Sequence, residues 1–162
     1  MQIAIISDTH MPRGARAIPP GCLERCAAAD AILHAGDLSD VPVLELLREL
    51  GPPVHAIHGN VDSAAIHALL PGRLELTLGG ARVGMTHIPG PARGRVARLR
   101  ARFPGCDAVV FGHTHMPEHG ELDGFQMFNP GSPTERRRAP VHTMGLATVE
   151  SGKITFDLLV VG

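Results

Sequence analysis

Five short apolar runs recur along the first 115 residues, and each ends in polar side chains of one chemical kind. Ile3–Ile6 leads into Ser7-Asp8-Thr9-His10, Ala31–Ala35 into Gly36-Asp37, and Val54–Ile57 into His58-Gly59-Asn60. Val83–Met85 ends in Thr86-His87, and Ala108–Phe111 in Gly112-His113-Thr114-His115. Runs this short, rich in β-branched residues and bounded by Gly or polar residues, predict buried strands. Between them lie helical patterns. One covers 20–29 and starts at the Pro19-Pro20 pair. A second covers 41–50, with Leu44, Leu46 and Leu47 on its apolar side and Gly51-Pro52-Pro53 as its stop. A third covers 92–103, where five Arg alternate with Val96, Ala97 and Leu99. Its Arg run reads as a solvated helix face in preference to an anion patch.

The texture changes after residue 116. Segments 120–128, 141–150 and 154–161 read as strands joined by Gly-containing turns such as Ser151-Gly152-Lys153. There is no internal repeat, low-complexity tract or interdomain linker. Strand–helix alternation followed by strands predicts a mixed α/β layered sandwich in one domain, 1–162. Area scaling for 162 residues leaves about 70% of the unfolded surface buried, enough for a core without staples.

Composition excludes several classes. Fifteen Lys+Arg balance sixteen Asp+Glu, so the basic excess of a general nucleic-acid binder is missing. With five Phe and no Trp or Tyr, the stacking platforms of single-strand binders are hard to build. Cys22, Cys26 and Cys106 form no CxxC, and an odd count predicts a reducing compartment without a disulfide framework. No apolar run approaches the ~20 residues of a membrane span. The sequence passes straight from Met1 into an apolar strand, so a cytoplasmic protein without membrane association is expected.

Loops leaving strand ends in α/β sheets converge on one crevice. Here those ends carry Asp8, His10, Asp37, Asn60, His87, His113 and His115. Every one offers an oxygen or an imidazole nitrogen, and none is Cys, a donor set for Mn²⁺, Fe or Zn²⁺ in a non-thiolate site. Taken singly the signals are weak: Gly36-Asp37 also reads as a turn with a helix cap, Gly59-Asn60 as a turn, and a lone His as a satisfied polar residue. Five successive strand ends finishing in ligand chemistry are a different matter. Seven ligands exceed one four-coordinate ion and suit two ions about 3.5–4 Å apart sharing a carboxylate. Two divalent ions against two Asp leave the site positive, which suits an anionic substrate.

In that order, Asp8-x-His10, Gly36-Asp37, Gly59-Asn60, His87 and Gly112-His113-x-His115 resemble the calcineurin-like metallophosphoesterase superfamily. Gly59-Asn60-Val61-Asp62 and Asn129-Pro130-Gly131-Ser132 are similar to its small YfcE-like phosphodiesterase branch. The resemblance implies a four-layer α-β-β-α sandwich with two mixed sheets. It implies two divalent ions, Mn²⁺ first, with Fe, Zn²⁺ or Ni²⁺ as alternatives. Asp8, His10 and His115 would hold one ion, Asn60, His87 and His113 the other, and Asp37 would bridge. The implied reaction is in-line attack on phosphorus by a hydroxide between the ions, with Asp37 and Asn60 in the catalytic set. The implied partner is a small phosphoester substrate, and homo-oligomers are frequent in the branch.

Two positions depart from the family pattern. Family monoesterases commonly carry His directly after the Gly-Asn pair, where it protonates the leaving oxygen; Val61 cannot. Asp62 and His58 are the nearby candidates for a catalytic role. An ordinary Asp is ionised at neutral pH, so Asp62 is expected to orient a ligand His. After His87 the family usually has Gly, and this chain has Ile88-Pro89. His34, His55, His67 and His119 read as structural or surface residues. His142 is a minor candidate for substrate contact, as are Arg136, Arg137 and Arg138, and Asn129–Ser132 reads as a brace or a turn. A phosphodiesterase is the leading expectation. A phosphomonoesterase or nucleotide hydrolase of the same superfamily is the alternative. A non-catalytic binding scaffold, like the retromer subunit that resembles this branch, is the rival from another class. An amide or ester metallohydrolase is disfavoured by Asp8-x-His10 on the first strand.

Overall fold

The computed structural model describes residues 1–162. In chain order the first half holds β1 (Gln2–Ile6), α1 (Pro20–Ala28), β2 (Ala31–His34), α2 (Val41–Glu49), β3 (Val54–Ala56) and α3 (Ala64–Leu69). Then come β4 (Arg73–Leu78), β5 (Ala81–Thr86), α4 (Arg95–Arg102), β6 (Ala108–Phe111), β7 (Glu118–Leu122), β8 (Phe125–Asn129), β9 (Thr143–Glu150) and β10 (Lys153–Val160). They build two mixed five-stranded sheets, in the orders β10-β9-β1-β2-β3 and β4-β5-β6-β8-β7.

Side-chain alternation along β1 shows how the layers arise. Ile3 and Ile5 point into the space between the sheets and meet Val83, Met85, Val110 and Phe128 of the second sheet. Ala4 and Ile6 point the other way, toward Cys22 and Cys26 of α1, Val43, Leu44 and Leu47 of α2, and Ile66 of α3. On the far face of the second sheet, Val109 and Phe111 pack on Leu99 of α4 and on Phe103 just past its end. The order of layers is therefore helices, sheet, sheet, helix. No helix is long and apolar enough to cross a membrane.

Helix starts follow their caps. The Asp40 carboxylate accepts the Val41 N–H at the head of α2, and Ser63 Oγ accepts the Ile66 N–H at the head of α3. The Ser63 hydroxyl also donates to Asp40, tying the two helix starts together.

Three expectations change. Residues 120–128 form a hairpin, because Asp123-Gly124 both take positive φ (48° and 81°) and turn the chain between β7 and β8. The third helix begins at Arg95, since Gly94 at its head is left-handed (φ 69°) and ends the helical register there. Its Arg face is also not simply solvated. Arg95 is buried, pairs with Glu118 and donates to the Gly90 carbonyl, while Arg100 pairs with Asp123 at 2.7 Å. Two elements went unread. α3 spans six residues, too short for a period, and β4 is an edge strand whose alternation of Leu74, Leu76 and Leu78 with Arg73, Glu75 and Thr77 is the signal that would have found it.

Candidate metal centre

Register brings the ligand-bearing ends level. Ile6 lies opposite His34 and His34 opposite Ala56, so β1, β2 and β3 end side by side; Thr86 opposite Phe111 does the same for β5 and β6. Pairing continues past the strands: Asp8 N donates to Gly36 O and His10 N to Asp37 O, both at 3.0 Å. Here the backbone bends sharply. Asp8 (φ 57°), His10 (46°), Asp37 (57°), His113 (71°) and His115 (59°) all take left-handed conformations, rare for residues with a Cβ. Five of the seven predicted ligands therefore carry backbone strain, which the surrounding contacts must hold.

Six of the seven fall into two groups whose donor atoms lie within 4.8 Å of one another: Asp8, His10 and His115, and Asp37, His87 and His113. The groups touch. Asp37 Oδ2 is 3.1 Å from His87 Nε2 and 3.7 Å from His10 Nε2, placing this carboxylate between them. Asp8 Oδ1 lies 3.3 Å from His115 Nε2 and 3.9 Å from His87 Nε2. Asn60, the seventh, presents its carbonyl oxygen 3.0 Å from His113 Nδ1.

The donor set fits bound cations on three counts. The buried His87 Nε2 has no hydrogen-bond partner, its approach to Asp37 being out of line for one. Its Nδ1 sits 2.7 Å from the Ala35 carbonyl, and His115 Nδ1 bonds the Glu135 carbonyl. A ring that donates through Nδ1–H keeps a lone pair on Nε2, the tautomer a metal ligand needs. Finally, His10 Nε2 and His115 Nε2 face each other at 3.1 Å, an arrangement that a cation between lone pairs would relieve.

Burial lowers the pKa values of His10, His113 and His115, the last to about 4, so these rings are neutral at pH 7. Burial pushes the Asp8 carboxyl up to about 7 against the pull of His87 and the Ser7 hydroxyl. Asp37 is pushed up by burial too, but His87, the Val61 N–H and His10 outweigh it and hold the carboxyl down at about 2. His87 answers in kind: burial depresses it, and Asp37 and Asp8 more than reverse that.

A family model for the calcineurin-like phosphoesterase superfamily domain matches residues 1–152. The chain belongs to the calcineurin-like phosphoesterase superfamily. It is 34% identical to a probable metallophosphoesterase of Methanothermobacter thermautotrophicus, over 100% of this chain and 94% of that one. Among solved structures, wild-type Vps29 of Entamoeba histolytica in complex with Zn²⁺ is 25% identical, with a TM-score of 0.78 and 99% of each chain covered. An archaeal phosphodiesterase, 21% identical with a TM-score of 0.74, covers 98% of this chain and 100% of its own; it shows the shared fold.

Around this phosphoesterase centre the other anticipated residues take definite places. Asp62 does not touch a ligand His, contrary to expectation. Its two oxygens accept the backbone N–H groups of Asp37 (3.0 Å), Ser39 (2.6 Å) and Gly59 (2.6 Å), so it braces the loops carrying Asp37 and Asn60. Val61 is exposed, and its N–H donates to Asp37 Oδ1 at 3.0 Å. His58 stands beside Asn60, with its ring against His67 at a centroid distance of 3.9 Å; both line a cleft next to the second group. Asn129 donates to Gly112 O and Thr114 Oγ1, and Ser132 Oγ to Asp8 O, so the Asn129–Ser132 segment braces both ligand loops. Among the Arg run, Arg137 lies near enough to push His10, His113 and His115 down. Nothing ties His142 to the site. One neighbour was not anticipated: Glu135 Oε2 is 3.6 Å from His10 Nε2 and 3.3 Å from Arg16. Its only mark in sequence is that it stands three residues after the Asn-Pro-Gly-Ser segment, past Pro133-Thr134.

Proposed function

We propose that the chain is a metal-dependent phosphodiesterase with a two-ion site. Asp8, His10 and His115 would hold one ion, Asn60, His87 and His113 the other, and Asp37 would reach both. The observation that carries this is the place of Asp37, whose one oxygen approaches His87 of one group and His10 of the other. Bound divalent ions, Mn²⁺ foremost, would supply charge neutralisation at the phosphoryl oxygens and a lowered pKa for the attacking water. The chain's own part is placement. Ala35 O and Glu135 O fix two imidazoles, the His113 N–H fixes Asp8, and Asp62 fixes the two loops from the first sheet. No proton donor stands at position 61, and both Asp62 oxygens are engaged as acceptors, so substrates whose leaving group departs without a proton are favoured. That supports activated diesters over alkyl monoesters.

The likeness to Vps29 favours one second reading, a metal-holding binding scaffold without turnover. Metal-stripped protein assayed on a p-nitrophenyl diester and the matching monoester, with and without Mn²⁺, separates the readings. Diester turnover that requires Mn²⁺ and is abolished by Asp37→Asn is expected. A preference for the monoester would overturn the diester assignment. Bound Mn²⁺ with no turnover of either would favour the scaffold.

A further inference from the structure

The cleft beside the second ligand group has a volume of about 270 Å³ and shares Asn60 and His87 with that group. Its remaining walls come from both halves of the molecule: His58 and His67 from the loop after β3 and from α3, Ile88 from the loop after β5, and Arg102 from the end of α4. No carboxylate lines it. Its volume is just below the roughly 300–1,000 Å³ of pockets for whole drug-sized ligands, which suits one substituent of a larger molecule.

The walls have a definite chemistry. Two imidazole rings pack together with centroids 3.9 Å apart and planes tilted by 38°. Gly72 makes room for them, since a Cβ there would come within 2.9 Å of His58 Nε2. Ile88 contributes a large apolar side chain that is 46% exposed. The Arg102 guanidinium is held by the Ile88 carbonyl (3.3 Å) and Thr86 Oγ1 (3.1 Å), leaving further N–H donors at the cleft. In a chain without Trp or Tyr, four of the five phenylalanines (Phe103, Phe111, Phe125 and Phe128) are buried and the fifth, Phe156, is stacked on Phe128, so these imidazoles are the flat rings available beside the cleft.

We propose that this cleft is a subsite for a flat heteroaromatic substituent of the phosphoester, of the nucleobase type. The ring is held by the His58–His67 pair and the Ile88 side chain, and Arg102 serves an anionic or carbonyl group on it. This rests on the phosphoesterase reading, since the phosphate must sit at the ligand groups for its substituent to reach the cleft. Ile88 thereby becomes a specificity feature.

The test is calorimetric titration of the Mn²⁺-loaded protein with AMP, ribose 5-phosphate and inorganic phosphate. AMP is expected to bind at least about fivefold more tightly than ribose 5-phosphate, the low end of what a stacked base contributes. His67→Ala, on the exposed side of α3, brings that ratio close to one. His67→Phe restores it, because a ring without nitrogens still stacks; a role for His67 through its proton would leave the Phe variant as poor as Ala. Equal binding of AMP and ribose 5-phosphate by the unaltered protein, or a ratio that survives His67→Ala, overturns the proposal. Diester turnover measured in parallel keeps the two readings apart. A clear AMP preference without turnover retains the subsite and sinks the hydrolase, and turnover without the preference does the reverse.

Discussion

Asp8 is the costliest of the ligand side chains: fully buried, left-handed in backbone, and with its carboxyl pushed up to about 7 by burial. A carboxyl raised above its unfolded value of 3.8 contributes stability below about pH 4 and loses it as pH rises toward 7. In metal-free protein at pH 8 an ionised Asp8 therefore opposes folding. Asp8→Asn is expected to raise the Tm of that form by about 3 °C, equivalent to about 1 kcal/mol in a domain this size, and to remove any Tm gain on adding Mn²⁺. A lower Tm in a thermal melt would mean that the bonds Asp8 accepts from Ser7 and the His113 N–H outweigh its desolvation. Val61→His tests the missing proton donor. Its side chain is exposed beside Asp37, so a His there is expected to raise monoester turnover several-fold more than diester turnover; an unchanged ratio of the two kcat/KM values would remove the argument. At this scale the ligand types were legible in sequence, because metal chemistry selects the side chain itself. Asp62 was legible as a residue near the site but not in its role, since accepting backbone N–H groups leaves no trace in side-chain patterning. Glu135 approaches His10 across 125 positions of chain, a contact that no local spacing encodes.

The strand ends work as ligand carriers because glycines let neighbouring loops close on one another. At Gly59 an added Cβ would lie 2.5 Å from the Asp37 nitrogen and against its carboxylate; at Gly112 it would meet Ser7 Oγ and lie 2.7 Å from Asp8 Oδ2. Gly59→Ala is expected to cost about 2 kcal/mol or more in stability and to abolish Mn²⁺-dependent stabilisation, because the Asp37 and Asn60 loops must separate. The matched control is Gly124→Ala in the β7–β8 turn, where φ is 81° and nothing lies within 4 Å of the new carbon. Only the left-handed penalty of about 1 kcal/mol applies there, and the Mn²⁺ response should stay whole. Equal loss of the Mn²⁺ response in both variants would show that general destabilisation, and not loop closure, is at work. The elements read correctly from sequence are those whose apolar faces are buried, β1, β2, β5 and β6 among them. Those missed or merged are α3, β4 and the β7–β8 pair, which are short, at an edge, or defined by a turn dipeptide more than by hydrophobic period.

At the scale of the whole molecule, each ligand group draws on both sheets. Asp8 and His10 follow β1 while His115 follows β6; Asp37 and Asn60 follow β2 and β3 while His87 and His113 follow β5 and β6. The layered fold was legible because each half obeys its own alternation, but this joining of the halves is a property of the assembled ends alone. An ion held only by the folded chain stabilises it by mass action, about 2.7 kcal/mol at a hundredfold excess over Kd, or about 5–10 °C in Tm here. That gain depends on pH. Below their ordinary value of 6.5, His34 (held near 3 by burial and by His87 and His10, against the pull of Asp37) and His115 (near 4) stay neutral while the unfolded chain takes up protons. Both therefore make stability fall as pH drops from 6.5, whereas Asp8 works in the opposite direction between about 4 and 7. His10 and His113, which burial also lowers, add to this, so against Asp8 alone the metal-free protein is expected to lose stability as pH drops from 6.5 toward 4. Metal binding needs Asp8 ionised and His87 neutral, and both hold their protons to higher pH than usual. The expected outcome in thermal melts is a Mn²⁺-induced rise in Tm that is full at pH 8 and largely gone by pH 6, reversed at pH 8 by EDTA, and accompanied by proton release on titration with metal. A gain that is the same at both pH values would mean that the ions are held without Asp8 and His87, and would separate the metal centre from the two buried groups that join the sheets.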